Sequence, residues 1–84
     1  MEYKISMATQ LSDILKSKRK STGLTQEKLG RKLGVSQRVL ARNEAHPEKV
    51  HFERILDILA ELDMDLVIRE RNRDEANHPD DESW

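Results

Sequence analysis

Few side chains in this sequence have the types and spacing that catalysis or metal binding requires. The three histidines, at positions 46, 51 and 78, lack the spacing and the neighbouring ligands of a metal site. Ser17 and Lys20 form an S-x-x-K pair, but the companion motifs of the enzymes that use this pair are missing. The sequence contains no cysteine and no glycine-rich phosphate loop. We therefore expect no enzymatic activity, metal, cofactor or small-molecule substrate.

Hydrogen-bonding and charged side chains are concentrated in the first half of the chain. Residues 16–42 contain nine lysines and arginines and one acid, a net charge of +8. Residues 43–84 contain five basic and thirteen acidic residues, a net charge of −8. A basic segment of this density favours a polyanion such as a nucleic-acid backbone. A solvated helical surface is the alternative that the charges alone leave open.

The helices that would carry these side chains can be predicted from apolar spacing and capping residues. A helical apolar period predicts a first helix over residues 8–21 and a fourth over 51–62. Between them, Thr25 and Ser36 are typical N-caps, and a glycine follows each preceding helix. These signals predict a second helix over 26–33 and a third over 37–44. Because the connection between the second and third helices is so short, they must cross steeply, as in a helix-turn-helix.

After the fourth helix the apolar period changes from that of a helix to that of a strand. Met64, Leu66 and Ile68 alternate with Asp65, Val67 and Arg69, which is typical of a half-buried strand. A single strand cannot pair its own backbone groups, so its partner must come from a second copy of the chain. We therefore predict a homodimer that is joined through a strand over residues 64–70. The residues expected to form this dimer strand are Met64, Leu66, Val67 and Ile68.

The predicted fold class is mainly α, with four to five helices and one C-terminal strand that pairs across a dimer. We expect residues 1–71 to form the helix-turn-helix and dimerisation domain, and residues 72–84 to form a disordered acidic tail. The chain shows neither a secretory signal nor a run of about 20 apolar residues. We therefore expect a cytoplasmic protein that has no membrane partner.

Three groups of residues in the first half resemble the Cro/C1-type (Xre) helix-turn-helix family, whose fold is lambda-repressor-like. They are G-L-T-Q at 23–26, K-L-G-V-S-Q at 32–37, and Glu44. The second half, with its fourth helix, single strand, acidic tail and C-terminal tryptophan, is similar to the HipB-like antitoxins. Two positions depart from the family pattern: Ala41 stands where a serine is frequent, and Asn43 where an apolar or aromatic residue is frequent.

The resemblance implies that the third helix contacts bases in the major groove through its N-terminal turns. The residues expected there are Ser36, Gln37, Arg38, Ala41 and Arg42. Gln37 can make two hydrogen bonds to adenine, and either arginine two to guanine, while the Ala41 methyl group can contact thymine. By the same resemblance, Gln26 would bind a phosphate, and Arg19 and Glu44 would form a partly buried ion pair.

The resemblance also implies the biological partners. A HipB-like antitoxin would bind a palindromic operator as a homodimer, repress its own operon and neutralise a HipA-like serine/threonine kinase toxin. Trp84 would either dock on that toxin or serve in recognition by a protease. Two alternatives remain open: a phage-type or stand-alone repressor without a toxin, and a toxin-binding module that does not read DNA.

Overall fold

The computed structural model describes residues 1–71, and this part of the chain folds into four α-helices. They are α1 (Leu11–Ser21), α2 (Gln26–Leu33), α3 (Gln37–Ala45) and α4 (Phe52–Glu61). A short 3-10 turn, Ala8–Gln10, precedes α1, and another, Pro47–Lys49, connects α3 to α4. The mainly helical fold predicted from the sequence is therefore confirmed. The predicted first helix differs only at its start, because residues 8–10 form a 3-10 turn.

A small apolar core holds the four helices together. It takes at least one side chain from every helix, and its members are Leu15, Leu29, Leu40, Ile55, Ile58 and Leu59, with Leu62 directly after α4. Leu15, Leu29, Leu40, Ile58 and Leu62 have no exposed surface. Full burial of such a side chain contributes about 1.5–3 kcal/mol to folding. The core therefore fixes α2 and α3 against the other two helices.

Side-chain caps fix the starts of α2 and α3, and a left-handed glycine ends α2. The hydroxyl of Thr25 accepts a hydrogen bond from the Lys28 N–H at 3.0 Å, and that of Ser36 accepts one from the Val39 N–H at 3.2 Å. Gly34 ends α2 with φ 75° and ψ 26°, a left-handed conformation that glycine adopts without steric cost. The Ser36 cap and Gly34 set where α3 begins and in which direction it leaves the turn.

Residues 64–71 form neither a helix nor a strand in this single chain. A strand is defined by hydrogen bonds to a neighbouring strand, and the predicted neighbour belongs to a second copy. The strand predicted over residues 64–70 is thus not formed here, and its pairing across a dimer stays a prediction. The predicted tail over residues 72–84, including Trp84, lies outside the described residues.

Within residues 1–71, no helix is long and apolar enough to cross a membrane.

The close approach of α2 to the following turn gives a stability prediction at Gly30. A Cβ atom added at this buried glycine would lie 2.8 Å from the Val35 carbonyl oxygen. This oxygen cannot easily move away, because it belongs to the backbone of the turn. We expect Gly30→Ala to lower the free energy of unfolding by about 1–3 kcal/mol, although alanine favours helix elsewhere. Urea denaturation followed by circular dichroism measures this change. Lys32→Ala, an exposed substitution in the same helix, is the control and should change stability by less than about 0.5 kcal/mol.

Candidate nucleic-acid interface

One side of α3 faces the core, while the other side is exposed. Leu40 and Glu44 have no exposed surface, and Asn43 is 8% exposed. Gln37, Arg38 and Arg42 are exposed on the other side of the helix, and Ala41 between them is half-buried. Residues 37, 38, 41 and 42 share one helical face by their spacing. The structure therefore places the predicted base-reading residues together on one accessible surface, which we call the reading face.

The polar side chains of the reading face are available for an external ligand. Within residues 1–71, no hydrogen bond or ion pair engages the side chains of Gln37, Arg38 or Arg42. Ser36 differs, because its hydroxyl oxygen already accepts the Val39 N–H as the N-cap. Its hydroxyl hydrogen remains able to donate to an acceptor outside the protein.

A buried carboxylate connects three helices directly beneath this surface. Glu44 of α3 has no exposed surface, and its Oε2 accepts a hydrogen bond from Arg19 Nε of α1 at 2.6 Å. A second Arg19 nitrogen donates to the Leu24 carbonyl at 2.9 Å. The ion pair that the family resemblance implied between Arg19 and Glu44 is therefore present. It joins α1 to the end of α3 and to the turn that precedes α2.

Gln26 also belongs to this network, which the sequence did not indicate. Its Nε2 donates to Glu44 Oε1 at 3.2 Å. Gln26 is half-buried at the first position of α2, beside the backbone N–H groups that a helix start leaves without intrahelical partners. The second N–H of its amide remains available to a ligand at that end of the helix. Because Gln26 and Glu44 are 18 residues apart in the sequence, no local spacing of residue types could have revealed this contact.

The end of α3 packs through polar rather than apolar side chains. Asn43 lines a cavity of about 510 Å³ together with Arg54 of α4. In the described part of the chain, one terminal nitrogen of Arg54 is buried without a hydrogen-bond partner. The family departure at Asn43 thus places an amide where an apolar residue is frequent, and α4 places a guanidinium beside the same cavity.

The charge of the surface changes sign beyond the end of α3. Around the reading face lie the exposed cations Lys28, Lys32 and Arg31, of which Arg31 pairs with Glu27 at 2.7 Å. In the turn after α3, a backbone hydrogen bond lowers the pKa of Glu48 below its ordinary value, and His46 at 3.3 Å contributes further. Glu48 therefore stays ionised at neutral pH.

The Glu44 network gives a second stability prediction. Glu44→Ala leaves the guanidinium of Arg19 buried without its carboxylate, which typically destabilises a protein by about 3–5 kcal/mol. The matched control is Glu27→Ala, which removes the exposed pair with Arg31 and should change stability by at most about 1 kcal/mol. Urea denaturation measures the loss of unfolding free energy in each variant and so compares the buried ion pair with the exposed one. Equal losses of stability would contradict the structural role assigned to Glu44.

Comparison with known proteins agrees with this geometry. A family model described as helix-turn-helix matches residues 15–67. Antitoxin HipB from Escherichia coli O6:H1 (strain CFT073) is 29% identical over 65 residues, which cover 77% of this chain and 69% of that protein. Antitoxin HipB from Escherichia coli K12 is also 29% identical over 65 residues, which cover 77% of this chain and 74% of that protein.

Solved structures of HipB have the same fold. A complex of a HipB variant with an O2 20mer gives a TM-score of 0.76 at 26% identity, over 86% of this chain and 100% of the HipB chain. A HipA–HipB–O2–O3 complex gives a TM-score of 0.76 at 27% identity, over 84% of this chain and 100% of the matched chain. The chain therefore belongs to the helix-turn-helix family, is of the Cro/C1 type, and is similar within that family to antitoxin HipB.

Proposed function

We propose that this protein is a sequence-specific DNA-binding antitoxin that binds a palindromic operator as a homodimer. The observation that carries the proposal is the reading face of α3, where Gln37, Arg38 and Arg42 are exposed and engaged in no described contact. The complexes of HipB with O2 and O3, which we take to be operator duplexes, support the same function. The major groove admits an α-helix, and its base edges offer the acceptors and donors that these side chains require.

Each residue of the reading face has a chemical role in this proposal. Gln37 makes paired hydrogen bonds to an adenine, and Arg38 or Arg42 to a guanine, each worth about 1–3 kcal/mol of discrimination. The Ala41 methyl group contacts a thymine methyl group. Ser36 donates its hydroxyl hydrogen to a nearby acceptor on the DNA.

Gln26 is proposed to bind a phosphate rather than a base. Glu44 holds one side of its amide at 3.2 Å, so the remaining amide N–H is oriented before DNA arrives. The unpaired N–H groups at the start of α2 favour an anion at the same place. Fixing a phosphate at α2 sets the position of α3 in the groove.

The homodimer is proposed to form through residues 64–70, which lack a pairing partner in one chain. Leu66, Val67 and Ile68 are 44%, 73% and 93% exposed, which is unusual for three consecutive large apolar side chains. To bind a palindromic operator, this dimer must hold its two copies of α3 about one turn of DNA apart, roughly 34 Å.

By similarity to HipB, we propose that the dimer represses its own operon in the bacterial cytoplasm and neutralises a HipA-like kinase toxin. The solved complex that contains HipA, HipB, O2 and O3 supports both partners. Trp84 lies outside the described residues, and its docking on the toxin stays a prediction. A kinase-like reading frame beside the gene distinguishes this proposal from a repressor that has no toxin.

The reading face can be tested by a double substitution. We expect Gln37→Ala/Arg38→Ala to abolish discrimination between the operator and unrelated DNA, because the groups that contact base edges are removed. Fluorescence anisotropy with both duplexes, at several salt concentrations, measures discrimination and the salt dependence of affinity. Sedimentation should give the same oligomeric state as for the unaltered protein.

The matched control is Lys28→Ala, which removes an exposed cation from α2 but no base contact. It should weaken binding to both duplexes about equally and reduce the salt slope by about one. If Gln37→Ala/Arg38→Ala retains operator selectivity, the reading face is assigned to the wrong residues. If the unaltered protein protects no operator, either alone or with its toxin, the protein is an interaction module that does not read DNA.

The dimer contact can be tested by a charge in the predicted strand. We expect Leu66→Glu to shift the protein from dimer to monomer, because a carboxylate in a buried strand interface loses its hydration. Analytical ultracentrifugation measures the change. Ser17→Glu, which adds the same charge at an exposed position of α1, should leave the dimer intact. A fully dimeric Leu66→Glu variant would place the interface elsewhere.

A further inference from the structure

The first seven residues alternate apolar and polar side chains as a strand does. Met1, Tyr3, Ile5 and Met7 are the apolar positions, and residues 2, 4 and 6 are polar. All four apolar side chains are exposed, with Tyr3 at 48% and Met7 at 62%. The backbone at Met7 is extended, with φ −135° and ψ 141°. An exposed row of this kind is typical of a strand whose neighbours are missing.

This N-terminal segment, residues 1–7, lies beside the segment predicted to form the dimer strand, residues 64–70. Residues 1–5 line a cavity of about 820 Å³ together with residues 63–67 and with Leu11 and Ile14 of α1. The side chains of Glu2 and Arg69 are 3.5 Å apart. No backbone hydrogen bond joins residues 1–5 to residues 64–70 in the described chain. The N–H groups of Ser6 and Met7 donate to Gln10 Oε1, and that of Met64 donates to the Leu59 carbonyl. Residues 1–5 and 65–70 therefore lie beside one cavity without backbone pairing between them.

The Glu2–Arg69 contact suggests one antiparallel register, in which these two residues lie opposite each other. In that register one face of the ribbon carries the apolar pairs Tyr3–Ile68 and Ile5–Leu66, with Met7 opposite Met64 at one end and Met1 opposite Glu70 at the other. The other face carries Glu2–Arg69, Lys4–Val67 and Ser6–Asp65. If the register slipped by one residue, each apolar side chain of the N-terminal segment would lie opposite a residue that belongs to the other face of the dimer strand. The sequence thus favours the same register as the observed ion pair.

A second copy of the chain completes this arrangement. When two dimer strands pair antiparallel about a twofold axis at Val67, Leu66 of each lies opposite Ile68 of the other. In the same register Asp65 of each copy lies opposite Arg69 of the other, so opposite charges face each other at both ends. Apart from Val67, which lies on the opposite face at the twofold axis, the apolar residues of both registers fall on one face of the sheet. This charge and apolar complementarity identifies the second copy as the partner.

We propose that residues 1–5 form the two outer strands of a four-stranded antiparallel sheet that the homodimer shares. The order is N-terminal strand, dimer strand, dimer strand of the second copy, and its N-terminal strand. The apolar face covers the cavity beside α1 in both copies. A two-stranded ribbon is marginal in water, whereas three or more strands with an apolar face are stable. Pairing of the N-terminal segment is therefore coupled to dimerisation, and this inference rests on the proposed homodimer.

Engineered disulfides test the register, because the chain contains no cysteine of its own. We expect Ile5→Cys/Leu66→Cys to form a disulfide within each chain of the dimer under mild oxidation, since opposed strand positions lie within bridging distance. Lys4→Cys/Leu66→Cys is the control and should not form one, because these side chains point to opposite faces. Mass spectrometry and non-reducing gels distinguish bridges within a chain from bridges between chains.

Val67→Cys separates failure of this inference from failure of the homodimer. It should give a dimer linked between the two dimer strands, and sedimentation of the unaltered protein should give a dimer. If both results hold but Ile5→Cys/Leu66→Cys bridges no better than its control, the N-terminal strand is refuted and the homodimer stands. If the unaltered protein is a monomer, the homodimer and this inference fail together.

A second measurement does not depend on disulfide chemistry. Tyr3→Ser/Ile5→Ser should raise the dissociation constant of the dimer by about tenfold, because the apolar face of the sheet loses two large side chains per chain. Lys4→Ser, on the opposite face, should leave it unchanged. An unchanged dissociation constant for Tyr3→Ser/Ile5→Ser would overturn the proposal.

Discussion

The position of the reading face depends on one buried ion pair. Glu44 cannot reach water, so its carboxylate requires the Arg19 guanidinium at 2.6 Å. Arg19 also binds the Leu24 carbonyl, and Glu44 also binds the Gln26 amide, so the two residues connect α1, the turn after it, α2 and α3. A buried pair contributes little net stability compared with an apolar core. Here it has a geometric role, because the helices must be arranged so that all three contacts form together.

This arrangement separates the parts of α3 that must be rigid from those that must adapt. Leu40 and Glu44 fix the helix from below, while Gln37, Arg38 and Arg42 extend into solvent with their donors unused. Exposed side chains of this length lose conformational entropy when a ligand orders them. The backbone beneath them loses little, because the Ser36 cap and the buried ion pair have already fixed it. Binding free energy can then come mainly from base and phosphate contacts.

Local signals made most of the fold predictable from the sequence, whereas long-range contacts did not. Thr25, Ser36 and Gly34 act on their nearest neighbours, so the bounds of α2 and α3 follow directly from residue type. The Arg19–Glu44 pair was expected only through family resemblance. The Gln26–Glu44 contact had no sequence signal, because its partners are 18 residues apart and meet only in the folded chain. The strand predicted over residues 64–70 is not formed in one chain, and its predicted pairing partner belongs to a second copy.

The reading face and the proposed dimer sheet lie on different elements, yet operator binding would couple them. One copy of α3 contacts only half of a palindrome, and a second copy held at the correct spacing binds at a high effective concentration. By linkage, whatever stabilises the dimer strengthens operator binding, and the operator stabilises the dimer by the same free energy. Residues such as Tyr3 and Ile5, which are far in sequence from any base-reading residue, would therefore affect operator affinity without contacting DNA. The core is small, with seven buried apolar side chains among residues 1–71, and this makes the dependence on a second copy physically reasonable.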